Sequence, residues 1–254
     1  MKVIWVSTVV RTRSMWLFNI TREILNLKKF NVLPDKIPKF DEDHFEIFHQ
    51  KSLQDQNHLN KYVFKVHQIL KQEIPHSKIL TTIRDPRDIC VSCMKFMKKN
   101  FQQSLDISKS MITYFNTYEK YSKEKLKFIK YEKSIEKDTV KTIKDISEFI
   151  ECKISFDEAK KISEKFSKDN VTQLIRINDE KLKNNIKEKK EINRDTEIVY
   201  FSKDNYRSYD VNTGFQTNHI SSSSSQEWKK ILTKEEIKIL NSEFESFLIE
   251  NNYE

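Results

Sequence analysis

Glycine is nearly missing from this chain of 254 residues: Gly214 is the only one. A loop that cradles a triphosphate on its backbone, in the pattern GxxxxGK[ST], needs glycines at fixed offsets, so the composition argues against a P-loop kinase. Cysteine is also scarce. Cys90, Cys93 and Cys152 are too few and too unevenly placed for a disulfide framework. Cys90-Val91-Ser92-Cys93 has no second Cys or His pair to complete the four ligands of a structural zinc, and no metal is expected. No apolar run approaches the ~20 residues that span a bilayer. The opening stretch Met1 to Ser7 is interrupted too soon by Arg11 to be a signal peptide, so a cytoplasmic protein is expected.

Arginine is rare beside lysine: of 46 basic residues only eight are arginine. Two tight pairs stand out, Arg11/Arg13 and Arg84/Arg87. A planar guanidinium grips phosphate oxygens through two parallel hydrogen bonds, which lysine cannot do, so sparing use of arginine draws attention to these pairs. The formal charge of +8 favours an anionic partner: a nucleotide, a nucleic acid, an acidic glycan or a membrane surface. Although only 37% of residues are hydrophobic, 17 Phe and 9 Tyr argue for a folded globule, and the length suits one domain over 1–254.

Residues 2–7 form a short β-branched and aromatic run that reads as a buried strand. Trp16, Leu17, Ile20, Ile24 and Leu25 then recur at helical spacing, with Ser14 expected as N-cap. Further strands are expected at 62–66, 79–83 and 126–131, and helices at about 86–99, 104–123, 134–150 and 155–167. Pro86 opens one of these helices, where its missing N–H does no harm. The stretch 31–58 reads as a connection with one short helix around Asp41–Gln50. The alternation implies an α/β fold with a central parallel sheet covered by helices on both faces. About 178–225 is polar, ends in Ser221 to Ser225, and reads as mobile or as ordered only around a ligand. A last amphipathic helix follows Thr233 as N-cap.

Ligands of an open parallel sheet bind beyond the carboxyl ends of the strands, where helix N-termini aim N–H groups outward. Val10-Arg11-Thr12-Arg13-Ser14-Met15-Trp16 lies there after the first strand. So do Phe64-Lys65-Val66-His67 and Ile83-Arg84-Asp85-Pro86-Arg87 after the strands that follow. The first loop resembles the 5′-phosphosulfate loop of the sulfotransferases that use 3′-phosphoadenosine 5′-phosphosulfate (PAPS), whose usual form is Pro-Lys-Ser-Gly-Thr-Thr-Trp. The resemblance puts Arg11 in place of the phosphate-binding lysine, Ser14 and Met15 where threonines stand, and Trp16 where a tryptophan stacks on adenine. It implies that Arg11, Thr12 and Ser14 meet the phosphosulfate. Arg13 replaces a glycine, and an arginine adopts the backbone angles of glycine only with strain, so a differently shaped loop is expected.

Arg84 and Ser92 keep the spacing of the family's 3′-phosphate motif. Lys65 and His67 are similar to its Lys-Thr-His, whose histidine is the general base; Arg11 and Lys65 would then stabilise charge on the departing phosphate oxygen. Tyr131 is similar to a tyrosine near adenine, and Trp228 matches the tryptophan of Arg-Lys-Gly-x-x-Gly-Asp-Trp-Lys. Serines stand where that segment's Arg-Lys-Gly would be, so Ser223 and Ser224 would meet the 3′-phosphate through hydroxyls and N–H groups. The resemblance covers roughly 2–150 and 217–250. It implies a P-loop-like fold and sulfuryl transfer from PAPS to a hydroxyl or amine of a saccharide, lipid head group or small molecule, with no metal and no nucleic-acid partner. A P-loop-like nucleotide kinase and a non-catalytic basic module for nucleic acid or glycan remain as alternatives.

Overall fold

The computed structural model describes residues 2–71, 74–188, 190–192, 198–202, 205–218, 220 and 225–253. Five parallel strands form the central sheet: β1 (Val3–Ser7), β2 (Asn31–Leu33), β3 (Asn60–Val66), β4 (Ser77–Ile83) and β5 (Leu126–Lys130), in the order β2-β3-β1-β4-β5. Every residue of β1 is buried, which is why its run is apolar without alternation. Ile4 and Val6 pack on one face with residues of α1 (Ser14–Leu27), α5 (Thr139–Phe149), α6 (Phe156–Lys165) and α7 (Lys168–Lys187). Val3 and Trp5 pack on the other, with the turn after α2 (Asp41–Ile47) and with α3 (Pro86–Met97), α4 (Phe101–Tyr118) and α9 (Lys234–Glu250). The expected parallel sheet with helices on both faces is the one observed.

The strand order fixes where a ligand can sit. From β1 the chain leaves toward β2 and β3, and from β4 it leaves toward β5, although β1 and β4 are neighbours. A crevice therefore opens beyond the carboxyl ends of these two strands, at the point where the winding reverses.

Several elements differ from expectation. Ser14 is the first residue of α1 rather than its cap; the capping position is Arg13, in a left-handed conformation with no side-chain cap bond. β2 has three residues and was hidden in the 31–58 connection. α7 continues as helix to Lys187, through a stretch expected to be irregular, on a thin apolar stripe of Val171, Ile175 and Leu182 below the cap Ser167. A hairpin of β6 (Ile198–Ser202) and β7 (Asn205–Ser208) and the one-turn helix α8 (Trp228–Ile231) were also not anticipated. Thr233 caps α9 as expected, in a reciprocal box with Glu236.

With glycine so rare, helix ends are closed by other residues. Lys29, Glu151 and Asn252 follow α1, α5 and α9 with φ of 59°, 59° and 53°. Each completes a Schellman closure; at α1 Lys29 N–H donates to Asn26 C=O and Phe30 N–H to Leu25 C=O. No described helix is long and apolar enough to cross a membrane.

Candidate active site

The β1–α1 loop reaches the crevice with two left-handed residues, Arg11 at φ 66° and Arg13 at φ 65°. Such a conformation costs an L-residue roughly 1–2 kcal/mol. Arg13 thus takes up the left-handed backbone conformation that a glycine would adopt freely. Thr12 between them is fully buried. Its hydroxyl donates to the Val9 carbonyl at 2.7 Å and accepts from Thr82 at 2.5 Å, tying the loop to β4. The hydroxyl is therefore turned away from the crevice, contrary to the expected contact with a phosphosulfate. Ser14, Met15 and Trp16, in the first turn of α1, line the crevice at the helix end where N–H groups lack intrahelical partners.

Arg84 leaves the tip of β4 and donates through Nη1 to the Arg11 carbonyl at 2.6 Å. Its guanidinium lies 4.4 Å from the centre of the Tyr131 ring, which Arg13 also faces at 5.5 Å. Nε and Nη2 of Arg84 are buried without a hydrogen-bond partner. Two orphaned donors of a 3%-exposed cation are costly unless a ligand accepts from them. Arg11 donates from Nε to the Ser92 hydroxyl at 2.9 Å, so Ser92, two turns into α3, meets the guanidinium of the first loop. Burial, and then the neighbouring charges of Arg84 and Arg207, pull Arg11 down to about 10, which leaves it charged at neutral pH.

At the tip of β3, the Nδ1 of His67 is 2.9 Å from the Thr8 carbonyl. That oxygen can only accept, so Nδ1 carries the proton and Nε2 of the neutral ring is the acceptor. Nε2 lies 3.2 Å from Nζ of Lys65. Lys65 is lowered by burial, against the opposing pull of Asp41, whose carboxylate also accepts from the His67 backbone N–H.

These groups share one cleft of about 590 Å³, a size suited to small-molecule ligands. Arg11, Arg13, Ser14, Met15, Trp16, Lys65, His67, Arg84 and Tyr131 all line it. Trp228 does not: its ring stacks on Arg87 at 4.0 Å, and its backbone N–H donates to Asp88. Arg87 is likewise structural, clamped on Asp85 and bonded to Asn241 and to the Tyr253 carbonyl. The second arginine pair therefore splits, one member facing the cleft and the other bracing the fold. Ser223 and Ser224 lie outside the described residues.

Motif reading missed the far wall. Phe96, Arg207, Tyr209, Gly214 and Phe215 line it, brought from α3, β7 and the segment beyond. The Phe96 ring is shared by two guanidiniums, Arg11 at 3.9 Å and Arg207 at 4.2 Å. The one glycine has φ 68°, which an L-residue adopts only with strain, and a Cβ there would stand 2.3 Å from the Met15 methyl, so the Met15 side chain would have to move to let the wall approach the first turn of α1.

A family model described as the sulfotransferase domain matches residues 2–251. No curated protein sequence matches the chain. Among solved structures, retinol dehydratase in a complex with retinol and PAP is similar at 14% identity and a TM-score of 0.62, covering 98% of this chain and 82% of that one. A second retinol dehydratase structure, with androsterone and the inactive cofactor PAP, has 14% identity and a TM-score of 0.59, covering 98% and 81%. Mouse sulfotransferase SULT7A1 complexed with PAP has 13% identity and a TM-score of 0.62, covering 97% and 84%. At such identities the solved structures speak for the fold, whereas the family model spans almost every residue. The chain belongs to the sulfotransferase family.

Proposed function

We propose that this sulfotransferase uses PAPS as donor, and that His67 is the general base toward a hydroxyl or amine acceptor. The observation that carries the reading is the Nδ1 contact of His67 with the Thr8 carbonyl, which makes Nε2, 3.2 Å from Lys65 Nζ, the accepting nitrogen of the ring within the same cleft as Arg11 and Arg84. The donor suits the residues present. Arg84 has two buried donors without partners, Arg11 stands beside it with its Nε on the Ser92 hydroxyl, and the first turn of α1 adds N–H groups and the positive end of a helix dipole. Trp16 and Tyr131 are among the aromatic side chains that line the cleft and could meet an adenine ring. The structural neighbours crystallised with PAP fit this assignment.

When bound, PAPS supplies an activated sulfuryl group. His67 Nε2 takes the proton of the attacking acceptor, and the Nδ1 contact with Thr8 keeps the imidazolium that forms in place. Arg11 and Lys65 hold fixed positive charge where negative charge grows on the departing phosphate oxygen, without reorganising as it does so. A saccharide, a lipid head group or another small molecule could serve as acceptor.

Thermal shift tests the donor assignment. PAP at a hundred times its Kd should stabilise the protein by about 2.7 kcal/mol, while AMP and ATP at equal concentration should do far less. Equal stabilisation by ATP, with phosphate transfer from it, would replace this reading by a kinase.

A further inference from the structure

We infer that the acceptor carries an anionic group, a carboxylate, phosphate or sulfate, and that Arg207 is the residue that reads it. This rests on the sulfotransferase reading above and names the substrate class of that site. Nine cationic side chains line the cleft, and among the described residues none of the lining groups is an aspartate or glutamate. Arg11, Arg13, Lys65 and Arg84 come from the strand tips and the β1–α1 loop, where the donor is held. A donor with a 3′-phosphate and a 5′-phosphosulfate brings about four negative charges, which these four match. Lys39, Lys98, Lys99, Lys168 and Arg207 remain, from connections, the first turn of α7 and the hairpin rather than from the parallel sheet. Five further cations, with no carboxylate among the described lining residues, would repel a cationic acceptor and concentrate an anionic one.

Arg207 is the best placed of the five. Its Nη2 donates to the Phe96 carbonyl at 3.2 Å, and its guanidinium shares the Phe96 ring with Arg11, so it is held beside Arg11 in the cleft. The wall that carries it is braced: the Tyr209 hydroxyl donates to the Ile37 and Pro38 carbonyls, and Lys39 Nζ donates to the Ile198 carbonyl at 2.6 Å. Two residues beyond Lys39, Asp41 accepts from the His67 N–H, which places this wall on the side of the general base. Phe96, Met97 and Pro38 add apolar surface on which an organic acceptor can lie.

The test uses paired acceptors that differ only in charge: 4-hydroxyphenylacetate against its methyl ester, and a glucuronate-containing disaccharide against its glucose counterpart. Turnover with PAPS and binding to the PAP complex are both measured. At least one anionic member should exceed its neutral twin tenfold or more in kcat/KM or affinity, and the pair that shows it separates a small amphiphile from an acidic glycan. Arg207→Gln should reduce that preference about tenfold while changing PAP affinity less than threefold, and Arg207→Lys should restore part of it. If neutral twins perform as well throughout, or if Arg207→Gln weakens PAP as much as it weakens the acceptor, the inference is overturned. PAP stabilisation of the wild type separates the two levels: a chain that binds PAP but ignores acceptor charge loses only this inference, whereas one that PAP does not stabilise loses the donor reading as well.

Discussion

Because a carbonyl oxygen can only accept, the contact between Thr8 and His67 decides which ring nitrogen is left to take a proton. Replacing His67 by Ala removes that acceptor and leaves the arginines in place, so turnover should fall by about 10²–10⁴-fold. Affinity for PAP, measured by calorimetry, should stay within a few-fold; a matching loss of affinity would make His67 a structural residue. At this scale Arg11, Lys65, His67 and Arg84 were legible in the sequence because each lies at or shortly beyond the carboxyl end of a strand-like run, and a parallel sheet gathers such ends at one edge. Thr12 was not. A hydroxyl in a phosphate loop can face either way, and here the buried Thr82 on a neighbouring strand captures it. Arg207 has no local pattern at all, since it comes from a hairpin far along the chain and meets Phe96 only in the folded protein.

Among the elements, α3 does two jobs. Its N-terminal end carries Arg87 and Asp88, and Asp88 accepts from the backbone N–H groups of Gln226 and Trp228, fastening the segment that leads into α8. Burial pushes the Asp88 carboxyl up to about 6, in spite of Arg84 nearby and those two hydrogen bonds. A carboxyl raised by folding favours the protonated form in the native state. Its contribution is fully present below pH ~4 and is lost as pH rises through 6, a difference of up to about 3 kcal/mol. Asp88→Asn keeps one acceptor and cannot ionise. The Tm of this variant minus that of the wild type should therefore increase between pH 4 and 7, and a flat difference would show that ionising Asp88 costs the fold nothing. Elements with broad apolar faces were readable from spacing, as with α1, α5 and α9. α7 was not, because its three buried residues are spread over twenty positions among lysines and asparagines. β2 is only three residues long, too short to show a period.

For the molecule as a whole, strand and helix alternation made the parallel sheet readable. The order of the strands was not readable, although it is the order that puts the loop after β1 beside the tip of β4. The far wall depends on pairing between β6 and β7 and on contacts across more than a hundred residues, which no window of sequence displays. Near-absence of glycine leaves its own mark on the balance between folded and unfolded chain. Lysine, glutamate and asparagine turn the corners after α1, α5 and α9, each in a conformation that opposes its own Cβ. Lys29→Gly would release roughly 1–2 kcal/mol of that opposition and return ~0.5–1 kcal/mol as added freedom of the unfolded chain. Its midpoint in urea should rise accordingly, by up to about 1 kcal/mol of stability at an unchanged slope. A protein whose corners hold such tension is poised to gain heat resistance by single changes remote from its chemistry.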